Sequence, residues 1–326
     1  MRVLVTGAMG FIGRVFCKTL IEAGFEVCGI DRKNPQRPFE HKRMRWERCD
    51  LLNFEALKTL TEKFGAEAIV NLGAKTGLKN YPADSEYFAA NTRGTDHLIR
   101  VAREVESVRR MIYVSTKYVW RGDGIPKHRE YAPATTYGES KVLSEEAVWE
   151  ADGGCVEWCI VRPTTIWGPG MSTHYQRFLS MLQRGLYFHI GTRPVRKDMG
   201  YVGNTAYQLM RLLQVEREKI HQQIFYLADY ETVVLEEWAE GFRKEFGSKP
   251  IWRVPRGMAR VMAWSGDFLN MVMRRRFPFT SFRYQNLTED DCCEIGLIKN
   301  VCGPLPFSRE QAIQETARWY RKGAKR

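Results

Sequence analysis

Residues 2–13 read Arg2-Val3-Leu4-Val5-Thr6-Gly7-Ala8-Met9-Gly10-Phe11-Ile12-Gly13. A short apolar run ending in a glycine loop reads as a buried parallel strand. Apolar residues then continue at helical spacing over Phe11–Ala23, and Gly24 ends that helix. The glycines fall one residue off the G-x-G-x-x-G spacing, but the physics is shared. Gly7 permits the tight turn, Gly10 lets backbone approach a pyrophosphate, and Gly13 permits close helix–strand packing. A helix starting there offers free N–H groups and a positive dipole end to phosphates.

Outward from this unit, Glu26–Ile30 reads as the second strand. Further strands are expected near Arg43–Arg48, Ala68–Leu72, Arg110–Ser115 and Val156–Val161. Helices fit near Phe54–Phe64, Ser85–Val105 and Gly138–Glu150. Repeated β-α-β units predict an α/β fold: a Rossmann-type, doubly wound parallel sheet. After Arg162-Pro163 the rhythm changes, with a break at Gly168-Pro169-Gly170. Thr205–Arg217 and Ile224–Leu227 read as a helix and strand returning to the sheet. The expected organisation is a dinucleotide-binding domain over 1–168 and 200–228. A smaller C-terminal substrate-binding lobe takes 169–199 and 229–326, including a helix at Ser308–Arg321.

Net charge is +12 over 326 residues. The excess is spread out, densest at Arg274-Arg275-Arg276, with no zinc-finger or RNA-binding signature. The reading is therefore an anionic small substrate rather than nucleic acid. The eight cysteines contain no C-x-x-C pair, and no H-E-x-x-H occurs, so no metal is expected. Met1–Val5 leads directly into a strand, unlike a signal peptide, and no uncharged apolar run reaches the ~18 residues of a membrane span. The expectation is a cytoplasmic protein with reduced thiols.

Asp31 ends the second strand. A carboxylate there accepts hydrogen bonds from the adenosine ribose and repels a 2′-phosphate, which favours NAD. Arg32 and Lys33 follow and suit a 2′-phosphate, so NADP is the alternative. Tyr137-Gly138-Glu139-Ser140-Lys141 puts a phenol and an ammonium on one helix face. A phenol titrates near 10 and needs a nearby positive charge to act as a base at neutral pH. Val114-Ser115-Thr116 ends a strand, where open α/β sheets place active-site groups, so Thr116 can share the substrate oxygen served by Tyr137.

The set TGAMGFIG, Asp31, Cys49-Asp50-Leu51, Asn91-Thr92-Arg93-Gly94-Thr95, Val114-Ser115-Thr116, YGESK and Arg162-Pro163 resembles the extended short-chain dehydrogenase/reductase family. More narrowly, it is similar to the NAD-dependent epimerase/dehydratase group. The resemblance spans roughly residues 1–206. It implies that Gly7, Gly10, Phe11, Ile12 and Gly13 line the pyrophosphate, and that Asp31 and Arg32 meet the adenosine ribose. Asp50 and Leu51 would flank adenine. Leu72, Gly73, Ala74, Lys75 and Asn91 would lie beside the cofactor, with Pro163 near the nicotinamide. Tyr137 would be the acid/base, and Lys141 would also hold the nicotinamide ribose. Where the family's 4,6-dehydratases carry Thr-Asp-Glu, this chain reads Thr116-Lys117-Tyr118, which argues against water elimination. Arg196 and Lys197, with Arg283 as a second candidate, stand where relatives place cations on a substrate diphosphate. A homodimer paired through Ser85–Val105 and Gly138–Glu150 is likewise implied.

The leading expectation is a nucleoside-diphosphate-sugar epimerase using transient hydride transfer. The rivals are a keto-sugar reductase or dehydrogenase and a 3β-hydroxysteroid-dehydrogenase-like enzyme at a membrane surface. The membrane reading rests on residues 253–276, where Met258, Trp264 and Phe268 stand among arginines. The bland alternative is a lobe helix packed on the core. A cofactor-sensing regulator without catalysis is the non-enzymatic rival.

Overall fold

A computed structural model describes residues 1–34, 39–77, 81–121, 129–273, 277 and 279–323. The arginine run 274–276 lies outside the described residues. The chain divides into two compact units. The first comprises Met1–Ile166, Val202–Ala228 and Cys293–Pro306; the second comprises Trp167–Tyr201, Asp229–Cys292 and Phe307–Arg326.

The first unit begins with β1 (Arg2–Thr6), α1 (Phe11–Glu22), β2 (Glu26–Asp31), β3 (Met44–Arg48), α2 (Phe54–Phe64) and β4 (Ala68–Asn71). It continues with α3 (Arg93–Glu104), β5 (Arg110–Val114), α4 (Thr136–Glu150) and β6 (Glu157–Pro163). With the strand Gln223–Leu227 these form a seven-stranded sheet in the order Gln223–Leu227, β6, β5, β4, β1, β2, β3. Every pairing is parallel. This is the doubly wound Rossmann-type sheet that the alternation of elements predicts. The strands read as near-continuous apolar runs because helices cover both faces; β4 and β5 are buried at every position. Leu4, Ile69, Leu98, Met111 and Trp158 form the centre of one core cluster.

Two expectations need correction. The helix predicted over Ser85–Val105 begins only at Arg93. Residues 85–92 make tight turns, with Phe88 N–H on Ser85 O (2.9 Å) and Asn91 N–H on Phe88 O (2.7 Å). The Asn91 side chain is committed to another loop, which holds the turns out of helical register. Second, residues 293–306 cluster with the first unit rather than the lobe. The helix Gly296–Cys302 buries Ile298 and Cys302. It packs against the helix Val202–Gln214, where Cys302 Sγ lies 3.6 Å from Gln208 O.

The second unit is built around aromatic rings. Trp238 stacks on Phe178 at 5.0 Å between centroids and meets Trp167 and Phe242 edge-on. A separate small core joins Ile190, Val254 and Ala259, with Phe188 and Phe279 against it.

Candidate active site

Strand order reverses between β1 and β4, so a crevice opens beyond their carboxyl ends, where open α/β sheets bind ligands. Gly7 follows β1 with φ 61°, and a Cβ there would lie 2.7 Å from both Leu72 O and Gly73 N. Thr6 pins the two loops together: its hydroxyl donates to Asn71 Oδ1 (2.7 Å) and accepts from Gly73 N–H (2.9 Å). A Cβ on Gly13 would collide with Gly7 O, so only glycine lets α1 sit this close to the turn.

The N-cap of α1 is Gly10, with no side-chain cap and no acidic residue in the first turn. The first intrahelical bond runs from Arg14 N–H to Gly10 O at 3.1 Å. The N–H groups of Phe11, Ile12 and Gly13 thus have no acceptor within the helix. An uncapped helix start on a glycine turn fits the pyrophosphate of a dinucleotide. At the end of β2, Asp31 accepts from Met9 N–H at 3.3 Å and Lys33 N–H at 3.4 Å. Arg32 beside it is exposed. Asp50 Oδ1 accepts from Leu52 N–H (3.0 Å), and Leu51 is buried beneath Gly73.

Lys75 and Asn91 clasp each other. Lys75 N–H donates to Asn91 Oδ1 at 2.7 Å, while Asn91 Nδ2 donates to Lys75 O (3.1 Å) and to Ser140 Oγ (2.9 Å). Both amide N–H groups of Asn91 are thereby used, so this side chain holds the Leu72–Lys75 loop against α4. The Lys75 ammonium lies 4.7 Å from the Tyr87 ring centre. Pro163 closes β6 in register with Leu227.

Helix α4 carries Tyr137 and Lys141, the residues expected to react. Thr135 caps it by accepting from Gly138 N–H at 3.0 Å. Gly138 has no room for a Cβ against Tyr118 O, so α4 packs directly on the turn after β5. Thr116 caps that turn, its hydroxyl accepting from Tyr118 N–H at 3.3 Å. Tyr137 is buried and hydrogen-bonded to Thr116. Burial pushes its phenol up to about 12, and the Thr116 bond works in the opposite direction. Lys141, one turn on, is also buried; burial brings its ammonium down to about 8, opposed by Glu145. The protein therefore brings Thr116, Tyr137 and Lys141 into one buried cluster. Burial outweighs the Thr116 bond, so the pocket does not by itself depress the phenol.

Glu145 was not singled out by sequence reasoning. It continues the buried face of α4, one turn beyond Lys141, and that i, i+4 spacing was the available signal. Its carboxylate takes two bonds from Arg162, at 3.0 and 2.7 Å, and both side chains are 2% exposed. Arg162 also donates to Tyr226 Oη at 3.0 Å. The Arg162-Pro163 pair thus anchors α4 to β6 through a buried ion pair.

Replacing Lys141 by Met is expected to raise stability by about 1–3 kcal/mol at neutral pH while activity is lost, because a buried charge is removed and Glu145 keeps Arg162. In wild type, the lysine titrates near 10.5 when unfolded and near 8 when folded. Between those values the unfolded chain binds more protons, so this group makes stability rise with pH across that window. Denaturant melts of both proteins over that range check it. An identical pH slope in the two would remove the assignment.

In the second unit, Arg196 and Lys197 form a short strand paired antiparallel with Val233–Val234. The backbone of Arg196 is bound on both sides: its N–H donates to Asp290 Oδ1 (2.8 Å) and its carbonyl accepts from Asp291 N–H (2.8 Å). Arg283 lies on the helix Ser281–Thr288. Its guanidinium is half-buried, and burial together with the neighbouring Arg177 lowers its pKa.

The family model described as NAD dependent epimerase/dehydratase family fits residues 3–228. A 3-beta-hydroxysteroid dehydrogenase from Mycolicibacterium neoaurum is 28% identical, covering 98% of this chain and 91% of that protein. A 2-alkyl-3-oxoalkanoate reductase from Stenotrophomonas maltophilia is 28% identical over 63% of each chain. Among solved structures, UDP-glucuronic acid 4-epimerase from Bacillus cereus, in complex with NAD, superposes with a TM-score of 0.75 at 16% identity, covering 99% of both chains. With a family match over well beyond half its length, this chain belongs to the NAD-dependent epimerase/dehydratase family of extended short-chain dehydrogenases/reductases, whose cofactor is NAD.

Proposed function

We propose that the chain is a nucleoside-diphosphate-sugar epimerase in which Tyr137 exchanges a proton with a sugar hydroxyl. The observation that carries the substrate class is Arg283. No carboxylate pairs with it among the described residues, and the charge that acts on it is that of another cation, Arg177. A half-buried guanidinium, with the exposed Arg177 adding to the positive field around it, suits an anion such as a diphosphate. Bound NAD supplies a hydride acceptor and a positive charge that favours phenolate. Thr116 orients the phenol, and Lys141 stabilises its ionised form. The absence of carboxylates at Lys117 and Tyr118 speaks against dehydration. The reading includes a homodimer paired through α3 and α4.

A second reading, net oxidation of an alcohol or reduction of a ketone, is favoured by the names of the relatives that align with most of the chain. One experiment separates them. Purified protein is incubated with NAD and UDP-sugars, with products followed by NMR and reduced nicotinamide by absorbance. Epimer formation without net reduced nicotinamide supports the proposal; stoichiometric reduction supports the second reading. Arg283→Ala is expected to raise KM for a sugar nucleotide about 10- to 100-fold with little change in kcat. An unchanged KM would remove the diphosphate assignment.

A further inference from the structure

The helix Arg256–Met273 is inside out. In a surface helix of a globular protein, large apolar side chains face the core and small or polar ones face water. Here the buried side consists of Ala259, Ala263 and Gly266, where a Cβ would collide with the Phe279 carbonyl. The large apolar residues lie on the other side. Met258, Val261, Trp264, Phe268, Met271 and Val272 are between 58% and 72% exposed. At roughly 100° per residue they occupy about two-fifths of the helix circumference, as one continuous face. Trp252, at 54% exposed, adds a further ring just before the helix. A continuous apolar face of this kind marks an interaction surface, unlike scattered single residues.

Charge selects the occupant. Arg260 is exposed at the edge of the apolar face, and Arg256 is exposed one turn before it. The one acidic residue on the helix, Asp267, is engaged with Ser281 N–H at 3.1 Å. Three more arginines, 274–276, follow in the sequence, and the chain carries +12 overall. A second copy would bring the same positive charge to the contact and be repelled; an anionic surface would be attracted. The helix of 18 residues is ~27 Å long but too polar around its circumference to cross a bilayer, and no described helix is long and apolar enough to do so. These features match a helix lying flat at a lipid interface, with aromatic and methionine side chains inserted and arginines at headgroup level.

We infer that this helix docks the protein onto the surface of a membrane containing anionic phospholipid. The inference stands independently of the substrate reading, since it uses none of the residues assigned to NAD or sugar binding. The test is co-sedimentation of the purified full chain with phosphatidylcholine vesicles and with phosphatidylcholine–phosphatidylglycerol vesicles, at low and high salt. Wild type is expected to sediment with the anionic vesicles and to be released by salt. The outward-facing triple variant Trp264→Ser, Phe268→Ser, Met271→Ser should lose at least tenfold in vesicle affinity while its thermal melt and NAD binding are unchanged. Because that variant alters shape, Arg256→Glu with Arg260→Glu provides a second check, and should weaken binding to anionic vesicles. Wild type remaining in the supernatant with anionic vesicles overturns the inference, as does a triple variant that binds as well as wild type. So does a dimer, seen by light scattering, that the triple variant converts to monomer, since a second copy would then cover the face.

Discussion

Tyr137→Phe is expected to lower turnover by about 10²–10⁴-fold while leaving NAD affinity within about twofold. The variant removes one oxygen from a ring already buried by α4, so packing is retained and the proton donor is lost. The size is that expected of general acid–base catalysis by a single positioned side chain. Thr116→Val supplies the companion result. Of the influences on the phenol, the Thr116 bond is the one that lowers its pKa, against burial and Tyr118, which raise it. Losing that bond should move the acid limb of the pH–rate profile upward, with a smaller loss of rate than Tyr137→Phe. Steady-state kinetics across pH, alongside a direct NAD titration, check both. Turnover surviving in Tyr137→Phe would move the acid/base role elsewhere.

Glu145→Ala should cost about 3–5 kcal/mol of stability, the largest folding effect expected of a single polar substitution here. Its carboxylate is the anionic partner of Arg162, and neither side chain reaches water. Truncation leaves a guanidinium buried with only Tyr226 Oη and the nearby rings of Tyr131 and Tyr226. It also removes the charge that opposes the downward shift of Lys141, so the lysine should lose its proton more readily. The double variant Glu145→Leu, Arg162→Met should recover much of the loss, since two apolar groups replace the pair without leaving an unmatched charge. Urea unfolding of the three proteins measures this directly. A single variant less than about 1 kcal/mol below wild type would mean that Arg162 finds water or another acceptor.

The glycine turn, the strands β1 and β2, helix α2 and the Tyr137–Lys141 pair were legible because each is set by neighbours in the chain. A turn with φ 61° at Gly7 and an i, i+4 pair on α4 need no distant residue to be recognised. The start of α3 was not legible. Residues 85–92 have a pattern compatible with helix, yet Asn91 is claimed by Lys75, a loop away, and tertiary hydrogen bonding overrides local preference. The task of Asn91 was hidden for the same reason: a motif shows that an asparagine is present, not which loop uses its amide. Residues 293–306 gave no local sign that they belong with the first unit, because burial of Ile298 and Cys302 depends on a helix far away in sequence.

The helix Arg256–Met273 shows the division most sharply. Its sequence establishes that large apolar residues recur at helical spacing with basic residues nearby, which is consistent with a core helix as much as with an interfacial one. Which side faces inward is decided by Ala259, Ala263 and Gly266 meeting the Phe279 segment, a contact no periodicity encodes. The amino-acid order alone determined the doubly wound sheet and the placing of Tyr137 and Lys141 on one helix face, because parallel strands, glycine turns and helix faces are short-range consequences of residue type. Tertiary structure alone decided that Glu145 and Arg162 neutralise each other and that an apolar helix face is left in water, because both depend on which distant surfaces meet.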